Sequence, residues 1–225
     1  MSSSQHSKQL LVEGDDDVYA IAELMGHHVS WGNREKDWPV YLDAAGSVDT
    51  ILAEPEISTR CKSSTIQTLG IVIDANDSLQ GRWQRLRDIG RSLYDEFPSN
   101  LRRDGLLIPA RPPFPRFGVW IMPDNTNRGM LETFLARLVP TAVPQRSLWD
   151  YAGETAEEAR RRGGACRPQH ADKAHVHTWL AWQDPPGQPL GLAVRAKCLE
   201  PDSPFAGPFV EWFIRLFQLE ALRRS

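Results

Sequence analysis

The residues best suited to chemistry stand at two strand ends. Gln9-Leu10-Leu11-Val12-Glu13-Gly14-Asp15-Asp16-Asp17 is a short apolar run that breaks into carboxylates, and Gly70-Ile71-Val72-Ile73-Asp74-Ala75-Asn76-Asp77 repeats the pattern. In an open α/β sheet, side chains at the carboxyl ends of parallel strands converge on the crevice where ligands bind. Two acidic strand ends in one crevice make a site for a hard divalent cation, Mg2+ or Mn2+, and hence for phosphate chemistry. A third apolar run, Phe117 to Met122, leads to Asp124, which serves either the edge of that crevice or a turn with Asn125.

Each acid also has a purely structural use. Asp15, Asp16 and Asp17 open a helix, where the dipole favours carboxylates whatever the function; Asp17 fits this role and a metal role equally well. Asp77-Ser78-Leu79-Gln80 reads as a capping box with Asp77 as N-cap and Gln80 at N3. Glu132 is either a crevice acid or a solvent-facing helix residue. Arginines at 82, 85, 87, 91, 102, 103, 111 and 116 are either solvated helix faces or a phosphate track, for which Arg82, Arg111 and Arg116 are the candidates. His175 and His177 lie two apart on one helix and point away from each other, which argues against zinc. Lys173 and His177 are four apart and share a face, so His177 can brace Lys173.

The elements that must position these groups follow from periodicity. Strands are expected at 8–13, 28–31, 40–42, 69–74 and 117–122, and helices at 16–25, 47–52, 78–97 and 130–138. The segments 55–64 and 101–115 read as loops, the second with four prolines between Pro109 and Pro115. Alternation of strand and helix implies a largely parallel sheet. Beyond Pro144 the chain turns helical, at 148–162, 172–183 and 204–222, with Trp179 and Trp182 packing the second of these on the sheet. The expected organisation is a tail at 1–7, an α/β core at 8–140 and a helical C-terminal portion at 141–225.

With 225 residues and 41% hydrophobic content the chain can bury a sizeable core. The net charge of −3 argues against coating nucleic acid through bulk charge. The sequence has no run of about 18 apolar residues, so no membrane span is expected, and residues 1–8 lack a signal peptide's apolar centre. Three widely spaced cysteines suit free thiols and a cytoplasmic location.

Leu11-Val12-Glu13-Gly14 with Asp17, followed by Ile71-Val72-Ile73-Asp74-Ala75-Asn76, resembles the Toprim superfamily of topoisomerases, primases and OLD-family nucleases. Phe117 to Leu135 and Lys173 to Gln183 are similar to small standalone bacterial Toprim proteins. The resemblance implies a Rossmann-like, mostly parallel sheet flanked by helices, and a divalent-metal-dependent nuclease acting on DNA or RNA. Position by position it implies that Glu13 is the general-base or metal-bridging glutamate, Asp17 the second acid, and Asp74 the first aspartate of Asp-x-Asp. It makes Glu132 the acid of the Gly-x-Leu-Glu helix and Lys173 a late lysine supporting the transition state. The second aspartate is replaced by Asn76, an oxygen ligand without charge; two residues from Asp74 on a strand, it is expected to face the same way. That departure keeps a non-catalytic module open, binding nucleic acid or a separate ABC-type ATPase of the kind OLD nucleases carry on the same chain. Nucleotidyl transfer ranks below both, since no triphosphate-binding loop is present. Apolar surface on the helix at 205–222 would serve the ATPase, a homodimer or the core.

Overall fold

In the computed structural model, which describes residues 6–95 and 97–224, five strands form one sheet in the order β2-β1-β3-β5-β4. They are β1 (Lys8–Val12), β2 (Tyr41–Ala44), β3 (Thr68–Asp74), β4 (Leu106–Ile108) and β5 (Arg116–Met122). The first three and β5 run parallel; β4 is an antiparallel edge strand paired to β5. β3 is the central strand. Its first six residues are buried, as a strand covered on both faces requires.

Helices α1 (Asp15–His28), α2 (Val48–Ile51), α3 (Glu54–Cys61), α4 (Leu79–Gly90) and α5 (Leu131–Ala136) connect or follow the strands, and α6 (Gln145–Arg161), α7 (Ala171–Leu180), α8 (Leu190–Arg195) and α9 (Gly207–Phe217) complete the chain. Side-chain alternation along the strands sorts these helices into two layers. Leu10, Val12, Val72 and Trp120 face α1 and α5–α9. Leu11, Ile71, Ile73 and Val119 face α2–α4. The result is a three-layer α/β/α fold.

The residues after 140 therefore supply most of one layer. α9 buries Phe209, Val210, Trp212, Phe213, Ile214, Leu216 and Phe217, which is the core use expected among the alternatives for this segment, while Phe205 before it stays exposed. Its close approach depends on two glycines in register, Gly70 of β3 and Gly118 of β5. A Cβ on Gly70 would lie 2.9 Å from Leu216, and one on Gly118 would lie 2.7 Å from the same side chain.

Several elements differ from their sequence expectations. α1 runs past its expected end at residue 25 to His28, and of the expected strand at 28–31 only Val29 makes a bridge, to Arg223. α3 occupies the expected loop because Pro55 sits in its first turn, where proline lacks no needed N–H. β4 lies within the expected loop at 101–115, and α8 was not expected. α4 ends at Gly90 rather than Phe97, whose ring folds back over that glycine. Of the expected tail, residues 1–5 lie outside the described residues; Ser7 accepts N–H bonds from Gln67 and Thr68, so the sheet begins to pair there. No helix among the described residues is long and apolar enough to cross a membrane.

Candidate functional site

β1 and β3 are adjacent and parallel, so Glu13 and Asp74 emerge at the same end of the sheet. One Glu13 carboxylate oxygen accepts the backbone N–H of Asp74 at 2.8 Å. Asp74 in turn accepts the N–H of Leu131 through Oδ1 at 3.0 Å, which draws the first turn of α5 to the end of β3. Asp17, third residue of α1, folds back to accept the N–H of Gly14 at 3.0 Å. Each anchor consumes one carboxylate oxygen in fixing the turn it belongs to.

α5 and α7 close the site from the side. Glu132, only 4% exposed, pairs with the Lys173 ammonium at 3.0 Å. One residue further on, the Thr133 hydroxyl donates to Asp172, and the same oxygen accepts the N–H of Met130. Two successive contacts thus clamp α7 to α5. Lys173 is held by Glu132 and not braced by His177, which is exposed.

Glu13, Asp17, Asp74, Asn76, Glu132 and Lys173 all line one crevice of about 740 Å³, beside His170 and Gly46. Its electrostatics are those of crowded acids. Burial raises the Asp17 carboxyl to about 7, helped by the charges of Glu13 and Glu132. Burial also raises Asp74 well above the usual carboxylate range, with Glu13, Asp17 and Glu132 adding to the effect. Glu13 is raised by burial, against the Asp74 N–H and the Arg82 charge. Lys173 is raised by its bond to Glu132, with Asp16 and Asp17 contributing.

Oxygen-only donors with too little countercharge are the chemistry that suits a hard divalent cation. Among the described residues, no group of three His, Cys, Asp or Glu side chains is drawn together tightly enough to enclose an ion as it stands.

Asn76 lies in the crevice lining, but not by strand alternation. β3 ends at Asp74, and Asn76 adopts a left-handed backbone with φ of 49°. Its N–H donates to the Gly129 carbonyl at 2.7 Å and its carbonyl accepts the Gly129 N–H at 3.1 Å. Gly129 itself has φ of +135°. The only sequence signal for this pairing was a glycine before a helix. The N-cap of α4 is Ser78, whose hydroxyl accepts the Gly81 N–H at 3.1 Å, and not Asp77 as expected.

Three expected site residues fall elsewhere. Asp124 is a turn residue: it accepts bonds from Thr126 and Asn127 and pairs with Arg137. Burial would raise its carboxyl, but hydrogen bonds from Asn127, Arg137 and Thr126 outweigh that and hold it well below the usual range. Arg116 starts β5 opposite Thr68, so it lies about 20 Å from the level of Asp74 along the strand. There it donates to the Arg215 carbonyl at 3.2 Å. Arg111 lines a different cavity, beside β4. Arg82 stays near the crevice, in an adjoining cleft with Arg85. His175 stacks on Trp149 with ring centroids 3.6 Å apart. Trp179 packs on the same Trp149, whereas Trp182 stacks on Tyr151 at the surface.

The fold and site define a mostly parallel three-layer α/β protein with a carboxylate-lined crevice at its strand ends. The chain belongs to the family of proteins of unknown function designated DUF3226, whose model matches residues 7–218. No curated protein and no solved structure is matched.

Proposed function

We propose that this protein is a Toprim-type phosphodiester hydrolase that uses Mg2+ or Mn2+ to cut DNA or RNA. The observation that carries this reading is the convergence of Glu13, Asp17, Asp74 and Glu132 on one crevice, with Lys173 as the cation among them. Glu13, Asp17 and Asp74 are the residues that would hold the ion, with the Asn76 amide as a neutral fourth donor. A bound divalent ion supplies Lewis-acid polarisation of a phosphate and a lower pKa for attacking water.

The chain's own groups do the rest. The Asp74–Leu131 and Glu13–Asp74 bonds hold two carboxylates in fixed register, which preorganises the acidic wall. Lys173 brings positive charge to the crevice, where it can balance charge growing on a leaving oxygen. Glu132 keeps the ammonium aimed and protonated. The left-handed Asn76 favours a second reading, a module that binds nucleic acid with little or no cleavage, since it supplies no charge where a carboxylate would strengthen a second metal site.

The test is cleavage of labelled single- and double-stranded DNA and RNA with magnesium or manganese, alongside Glu13→Ala and Asp74→Ala proteins of equal folded content. Loss of cleavage in both variants is expected. Full metal-dependent cleavage by either variant overturns the assignment. Calorimetric metal binding without cleavage in the wild type selects the second reading.

A further inference from the structure

The acidic crevice does not stand alone. Two further clefts meet it at Asn76, a residue that lines all three depressions. One, of about 400 Å³, is lined by Arg128, Gly129 and Met130 and by residues 168–172 ahead of and within α7. The other, of about 310 Å³, is lined by Ser78, Gly81, Arg82 and Arg85 at the start of α4. Because α7 packs on one face of the sheet and α4 on the other, the clefts approach the end of β3 from opposite sides.

Both signs of charge line these clefts. Arg82 and Arg128 form no ion pair among the described residues, whereas Arg85 is bridged to Asp49 at 2.8 Å. The two arginine clefts share Asn76 and Asp77, and the crevice of crowded carboxylates adjoins both at Asn76. A lone phosphate ester needs only the centre. A chain of phosphates can use the whole pattern, with one phosphate at each arginine and one over the acids beside Asn76. The two arginine clefts come in from opposite faces of the sheet, so a strand engaging both must turn over the end of β3. A duplex, stiff over about 150 base pairs, cannot follow such a bend, but a single strand can.

We propose that the three clefts form one track for a single-stranded polynucleotide, with Arg82 and Arg128 as phosphate-binding residues in the two clefts that adjoin the acidic crevice. This rests on the phosphodiester reading above and narrows its substrate to a strand with phosphates besides the one that is cut. Asp77, which lines both arginine clefts, opposes such a strand, and Asp172 in the Arg128 cleft is engaged by Thr133. Arg128 was not among the sequence candidates; an isolated arginine before a glycine carries no signal of its own.

The test is fluorescence anisotropy with 5′-labelled oligo-dT and oligo-U of twelve nucleotides, and a twelve-base-pair duplex, in calcium buffer across a salt series. Arg82→Ala and Arg128→Ala are each expected to weaken single-strand binding about tenfold. Each should lower the salt slope by about 0.7, the loss of one phosphate contact. Asp77→Asn is expected to tighten binding. The dT and U arms tell DNA from RNA as the source of the strand, and either supports the track. Unchanged affinity in both arginine variants overturns the proposal, as does duplex binding as tight as single-strand binding. Calcium and manganese calorimetry on the same preparations separates the two claims. Metal binding without arginine-dependent strand binding sinks the track alone; arginine-dependent strand binding without metal binding sinks the hydrolase reading alone.

Discussion

The Glu13 carboxylate accepts the backbone N–H of Asp74 at 2.8 Å, so the two acidic strand ends are joined by a bond between the candidate ligands themselves. The sheet's hydrogen bonding thus continues one step past β1 through a side chain, and stability and charge crowding compete at a single residue.

Glu13→Gln separates those two effects. The amide oxygen can still accept the Asp74 N–H, while one of the repelling charges is gone. In chelator the variant is expected to match or exceed the wild-type melting temperature, yet to bind manganese at least tenfold more weakly. Glu13→Ala leaves that N–H without its acceptor and should cost about 1–3 kcal/mol. Denaturant melts and calorimetry on the three proteins check the order.

The raised Asp17 carboxyl gives a pH dependence of definite sign. Its ordinary value is 3.8 and its folded value about 7, so the folded state keeps a proton that the unfolded state has lost between these limits. That contribution to stability is full below the lower value and disappears as pH rises through the upper one. In chelator, stability should fall between pH 4 and pH 7 by up to about 1.4 kcal/mol per unit for this proton. Asp17→Asn should flatten the slope, and magnesium should restore stability most at the alkaline end. Thermal melts at a series of pH values read all three.

The three thiols differ sharply in exposure. Cys61 is buried and raised to about 11, with only the Tyr94 hydroxyl at 3.7 Å to oppose burial. Cys166 is exposed and Cys198 half-buried. An aromatic disulfide reagent should label Cys166 at once, Cys198 more slowly and Cys61 only after unfolding. Peptide mapping after timed quenching gives the order.

Gly70 and Gly118 should tolerate no side chain. Gly118→Val drives methyls into Leu216, which already lies 2.7 Å from a Cβ there, and overpacking of this kind costs about 1–3 kcal/mol. Gly46→Ala, with open space around it, tests the opposite case: its φ of +91° makes backbone strain the only penalty. Chemical denaturation ranks the two.

The sheet was legible because β1, β3 and β5 are largely apolar runs that lead into acids. What misled were residues whose local meaning depends on position. Pro55 reads as a breaker until it is seen in a first turn, and three residues at an antiparallel edge leave no period for β4. Strand alternation put Asn76 beside Asp74 for the wrong reason, since the chain has already left the strand and turned left-handed. Glu132 and Lys173 were both named, but their mutual contact spans two elements forty-one residues apart, which spacing cannot express. Arg116 failed on register: nothing in a list of arginines says which end of a parallel strand each one occupies.

The seating of α9 on Gly70 and Gly118 sets an order of events during synthesis. The carboxylates of the first two strand ends are made early, but the sheet face behind them stays uncovered until residues 207–217 have emerged. A nascent chain holding both acidic strand ends still exposes Leu10, Val12, Val72 and Trp120 to water. The face behind the crevice is therefore covered only once α9 has been made, and a chain released before α9 should be a client for chaperones and proteases.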